Sequence, residues 1–176
     1  MKQGILIFCI LFSISWNKTF AQDYSDLEKI SLKDRTECAD NEKLVLECSN
    51  YVLESPLNVI EKDENRLSAM KFIMRWMEAT PDYSFSLDES MGKATSSNPT
   101  LLAVLLAAMS QYALENKTDD ANDVKYNSFI TFIKYCEDPD NKVKLNEDLK
   151  ELIKARDENN LKEFLRIRST GVIAIL

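Results

Sequence analysis

Asn98-Pro99 opens the segment that most constrains this fold. An Asn side chain caps the free amides of a first helical turn, and a proline ring behind it costs nothing, because its missing N–H has no partner there. The helix so opened, residues 100–116, carries Leu101, Leu102, Val104, Leu105, Leu106, Met109, Tyr112 and Leu114, which cover every side of it. A helix that is apolar all round belongs in an interior. Other helices then have to surround it, and the sequence predicts an all-α, single-domain bundle of five or six helices around one buried central helix at about 100–116.

The surrounding helices are legible as stripes. From residue 40 to 53, Leu44, Val45, Cys48, Tyr51 and Val52 recur at spacings of one, three and four, and Ser55-Pro56 ends the run. Leu67, Met70, Met74 and Met77 build a second inward stripe, with Asn65 placed to cap it and Thr80-Pro81 to stop it. Phe129, Phe132, Ile133 and Cys136 make a third, broken by Pro139 and Asn141. Leu149, Leu152 and Ile153 mark a fourth, and Leu161, Phe164 and Leu165 the last. Between 82 and 97, Tyr83, Phe85 and Leu87 alternate before Asp88-Glu89-Ser90 opens a short helix. Three glycines in 176 residues and almost no strand-like alternation exclude a β-rich or Rossmann-type fold. The chain divides into a leader peptide at 1–21, a flexible N-terminal segment at 22–35, the helical domain at 36–170 and an apolar tail at 171–176 that is expected to pack on the body.

The first 21 residues give an address. Lys2 precedes an apolar run from Ile5 to Trp16, and Thr19-Phe20-Ala21 places small residues three apart before a cut at Gln22 or Asp23. That is the pattern of a secretory signal peptide. Cys9 lies inside the apolar run and cannot serve as a lipoprotein anchor. Cleavage takes away Lys2 and Lys18 and no acid, leaving 20 basic against 29 acidic side chains, a net −9. Such a charge repels nucleic-acid phosphate and anionic lipid, so neither is expected as a partner, and no remaining apolar run is long enough for membrane insertion. The expected location is periplasmic or secreted.

Three cysteines stay after cleavage, Cys38, Cys48 and Cys136. A continuous helix over 38–48 would hold the first two about 15 Å apart, beyond bridging reach. An intramolecular disulfide, where one forms, then joins Cys136 to Cys38 or Cys48, and an odd cysteine remains for a link between molecules. The other reading is three buried thiols that act as small hydrophobes.

The chain has no histidine, which removes the commonest general base and zinc ligand and excludes Ser-His-Asp and Cys-His mechanisms. The cysteines lack C-x-x-C spacing, glycine-rich phosphate loops are missing, and residues 137–141 lack the glycine and later glutamate of an EF-hand loop. No cofactor or metal is expected. Carboxylates could still cleave a glycosidic bond, with Glu89 as acid and Asp82 or Asp88 as its partner, on a cell-wall glycan. Glu89-Ser90 matches the Glu-Ser pair of soluble lytic transglycosylases, without the Gly-Leu-Met-Gln segment that follows it there.

The densest unusual composition is residues 75–85, a helix end with three aromatics and flanking acids. Trp76, Asp82, Tyr83 and Phe85 form the candidate binding surface, an aromatic platform for a sugar ring or a peptide side chain. In the competing reading these rings anchor an irregular crossing over the central helix, and Asp82 satisfies nearby backbone amides. The stretch Phe72-Ile73-Met74-Arg75-Trp76-Met77 through Thr80-Pro81-Asp82-Tyr83-Ser84-Phe85 resembles small exported helical proteins of unknown function from Gram-negative bacteria, over most of residues 37–165. The resemblance implies a helical envelope protein and transfers no catalytic residue. The sequence therefore leads to a non-enzymatic exported binding protein, in its specific form an inhibitor or immunity-type protein whose acidic surface covers a cationic protein partner. The glycoside hydrolase is the alternative.

Overall fold

A computed structural model describes Tyr24 and residues 26–168, with only the helical backbone given for Ile167 and Arg168. The leader peptide and its cleavage point, and the tail at 171–176, lie outside the described residues. Nine α-helices and no strand occur among those described: α1 Arg35–Asp40, α2 Glu42–Leu53, α3 Leu57–Ile60, α4 Glu64–Ala79, α5 Glu89–Thr95, α6 Thr100–Asn116, α7 Ala121–Glu137, α8 Glu147–Asp157 and α9 Leu161–Arg168. The five longest, α2, α4, α6, α7 and α8, make the bundle that the stripes predict, and the other four are short pieces between or beside them.

Helix α6 is the centre. It packs against α2, α3, α4, α5 and α7, and its buried residues run right round it, from Leu101 and Val104 to Ala113 and Leu114. The start works as the dipeptide predicts, with the Asn98 side chain accepting from the Thr100 amide at 2.8 Å. Leu102 is the exception on its first turn, 37% exposed. Helices α5, α8 and α9 pack on one another. Helices end here largely without glycine: α6 closes on Lys117 in the left-handed conformation (φ 51°), at a cost of roughly 1 kcal/mol relative to glycine.

Three expectations about the helices are corrected by the packing. The helix near residue 40 is not continuous, because Asn41 interrupts it between α1 and α2. Helix α4 is capped by Asp63, which accepts from the Asn65 and Arg66 amides at 3.0 and 3.3 Å, rather than by Asn65. Its buried face is Ala69, Phe72, Ile73 and Trp76, so Leu67 and Met74 point outward, 37% and 42% exposed. The bulkier rings take the interior because they remove more apolar area from water than the methionines do.

The segment expected as a flexible leader is docked from Tyr24 on. Tyr24 and Leu27 are buried, the Tyr24 ring stacks on Tyr51 at 4.7 Å, and Leu27–Lys29 form a 3-10 turn against α4. The guanidinium of Arg75 donates to the carbonyls of Leu27, Glu28 and Ile30 at 3.1, 3.4 and 2.7 Å. Three carbonyls on one cation give this stretch the partners that a helix would otherwise supply.

Cys38, Cys48 and Cys136 are buried free thiols, and Cys136 bridges neither of the others. Helix α6 packs on both α2, which carries Cys48, and α7, which carries Cys136. Burial pushes the thiols of Cys48 and Cys136 up to about 12, so at neutral pH they hold their protons and are poor nucleophiles.

Candidate functional site

Trp76 decides where the site can be. Its side chain is wholly buried, and its indole N–H donates to the Cys38 carbonyl at 3.0 Å. It therefore cannot belong to an open platform, and the aromatic surface loses its largest member. Tyr83 and Phe85 lie against it, with ring centroids 5.4 and 6.1 Å away. The indole is the floor on which the next segment rests.

That segment, residues 81–88, leaves α4 at Thr80, whose amide closes the helix on the Trp76 carbonyl at 2.9 Å. It runs as an irregular strap to Asp88. Side chains hold the strap in place. Asp82 accepts from the Arg35 guanidinium, its Nε at 3.1 Å, instead of capping backbone amides. The Tyr83 hydroxyl donates to Glu42 at 3.2 Å, and Lys117 pairs with the other oxygen of Glu42 at 2.7 Å. Burial, reinforced by the Glu42 charge, pushes the Tyr83 hydroxyl up, so it stays a donor in that bond.

Asp88 anchors the other end. Its carboxylate caps α5 by accepting from the Ser90 amide at 2.9 Å and the Ser90 hydroxyl at 2.5 Å, and its second oxygen pairs with Lys125 of α7. Both side chains of the pair are more than nine-tenths buried. Lys125 also donates to the Leu165 carbonyl of α9 at 3.4 Å. Desolvating two ions costs several kcal/mol each, which only close pairing and added hydrogen bonds offset. One junction thus ties strap, α5, α7 and α9 together.

Between the strap, the end of α4, the start of α5 and the first turns of α6 lies an open groove of about 400 Å³. Met74 and Met77 come from α4, Tyr83, Phe85 and Leu87 from the strap, Met91 and Gly92 from α5, and Leu102 and Leu106 from α6. Five large hydrophobic side chains are exposed among the described residues, and three of them, Met74, Leu87 and Leu102, line this groove. Gly92 meets nothing within 4 Å where a Cβ would stand, so the groove is open on the α5 side. Glu78 is the one lining carboxylate with no ion pair among the described residues.

Of the four predicted surface residues, Tyr83 and Phe85 line the groove, Trp76 supports it from below and Asp82 fastens the strap beside it. The methionines, read as core filler, supply its wall. Glu89, Asp82 and Asp88 face three different cations, Lys93 at 2.6 Å, Arg35 and Lys125. The groove offers contact area and adaptable thioethers. Comparison with protein-family models, with curated proteins and with solved structures gave no match.

Proposed function

We propose that this chain is an exported, periplasmic or secreted envelope protein that acts by binding another protein and catalyses nothing, and that the groove is its contact site. One observation carries the reading: three of the five large apolar side chains exposed among the described residues gather around a single groove of about 400 Å³, a size that suits a few partner side chains. Scattered exposed hydrophobics are ordinary, whereas a clustered set marks a surface meant to be covered.

Charge supports the kind of partner. After loss of the leader peptide the chain carries a net −9, which speeds encounter with a cationic protein and repels acidic ones. In its specific form the chain is an inhibitor or immunity-type protein that covers a basic cleft.

The test is capture from envelope extract by wild type and by two groove variants. Gly92→Leu adds an apolar side chain on the groove's α5 wall, at a position where a Cβ meets nothing within 4 Å, and Leu102→Asp puts a charge on its floor at a first-turn position where an acid favours the helix. Both variants are expected to fold as the wild type does and to lose at least nine-tenths of the captured partner, identified by mass spectrometry. Equal capture by all three proteins would sink the reading.

A further inference from the structure

Residues 83–87 cross the groove with their backbone unused. None of their N–H or C=O groups makes a hydrogen bond among the described residues; the nearest such bonds lie at the ends, from the Asp82 amide to the Thr80 hydroxyl at 3.4 Å and from the Met91 amide to the Asp88 carbonyl at 3.1 Å. The side chains alternate: Tyr83, Phe85 and Leu87 line the groove, and Ser84 and Ser86 do not. A period of two is that of an extended strand, and Thr80 and Asp88 on either side have extended backbone angles. The strap has strand-like alternation, apolar on one face, with an edge of donors and acceptors unused among the described residues. Such an edge is a template for a further strand.

We infer that the groove's occupant is an extended peptide segment of the partner, which pairs its backbone with 83–87 as an added strand and lays every second side chain into the groove. This rests on the groove being the binding site. Five residues span about 16 Å, so a segment of five to seven residues matches the strap. Its inward side chains are apolar, because Met74, Met77 and Met91 present thioethers that adapt to aliphatic shapes. It carries a Lys or Arg toward one end. Asp88, Asp82 and Glu89 already have their cations in Lys125, Arg35 and Lys93, which leaves Glu78 to attract the partner's charge.

Seven-residue peptides displayed on phage, selected on the purified protein and counter-selected on Gly92→Leu, test this. Enriched sequences are expected to alternate apolar and polar residues with a Lys or Arg near one end, and Glu78→Lys to shift that end to Asp or Glu. In synthetic copies, N-methylation of alternate amides should weaken binding at least tenfold in one register and less than twofold in the other, because only alternate N–H groups face the shared edge. Amides of 83–87 should gain protection from hydrogen exchange in the complex. The inference is overturned by winners with helical spacing, by affinity indifferent to N-methylation, or by no enrichment. A dimer in sedimentation that the peptides do not displace, meaning that a second copy takes the edge, overturns it too. If capture from extract depends on Leu102 while peptide binding ignores N-methylation, strand addition falls and the groove stands; if capture ignores Leu102, both fall.

Discussion

Two segments without α-helix lie against α4, and they treat their backbones in opposite ways. The N-terminal one, around the 3-10 turn Leu27–Lys29, gives three carbonyls to Arg75 and buries Tyr24 and Leu27. The strap at 81–88 is held by side chains at Asp82, Tyr83 and Asp88, and between them its main chain bonds to nothing among the described residues. Irregular chain in this protein can thus be closed by a cation reaching from the next helix, so openness at the strap is not a by-product of irregularity. Arg75 and Glu78 stand three apart on α4. One donates to the first segment, while the other, an acceptor only, lines the groove beside the second.

The comparison is attacked hardest at the strap's anchor. Lys125→Met leaves the Asp88 carboxylate buried without its cation and is expected to lower stability by about 3–5 kcal/mol in urea unfolding. Asp88→Asn combined with Lys125→Met should recover part of that loss, since no lone buried charge remains. Hydrogen exchange should rise at α5 first and leave the N-terminal turn as it was. A loss below about 1 kcal/mol would mean that the strap is not pinned through this junction.

Arg75→Met keeps the packing of the stem and removes the donors. A hydrogen bond to a charged group is worth about 1.5–3 kcal/mol net, and with three carbonyls sharing one exchangeable partner a loss of roughly 2 kcal/mol is expected. Exchange at residues 26–33 should rise while the strap keeps its wild-type pattern. Equal loosening of both segments would show that they are one cooperative unit and that the contrast is only apparent.

How much of this was legible follows from what each signal needs. Helix α6 needed only local chemistry, a cap, a proline and an unbroken apolar run, and Asn98-Pro99 with Leu101 to Met109 supplied all three. Helix α4 carries two valid stripes, Ala69-Phe72-Ile73-Trp76 and Leu67-Met70-Met74-Met77, and periodicity cannot say which faces the core. The second stripe was itself a signal: a helix apolar on two sides has something to meet on each, and here the far side meets the groove. Tyr83, Phe85 and Leu87 alternate like a strand although no sheet occurs among the described residues, and that mismatch is the local signal of the strap. Lys125 and Asp88 stand 37 residues apart, and nothing local in either pairs them. The docking of Tyr24 and residues 26–35 left no signal, because two apolar side chains make no periodic pattern and the carbonyls that Arg75 binds carry no side-chain signature.

The smallest expected effect is the sharpest on the difference between the two segments. Ser84→Pro removes one N–H from the middle of the strap, and a removed donor matters to stability only where it had a partner. The Ser84 amide has none among the described residues, so the change is expected to stay within about 0.5 kcal/mol. Proline suits an extended segment and pushes the residue before it toward extended angles as well, which Tyr83 already needs in order to alternate with Phe85. The same substitution in a helix interior would cost about 3 kcal/mol. A near-neutral result in thermal unfolding, beside the roughly 2 kcal/mol of Arg75→Met, would place the strap's backbone outside the forces that hold the fold. A loss above about 1 kcal/mol would mean that the Ser84 amide is already engaged, and the free edge would vanish with it.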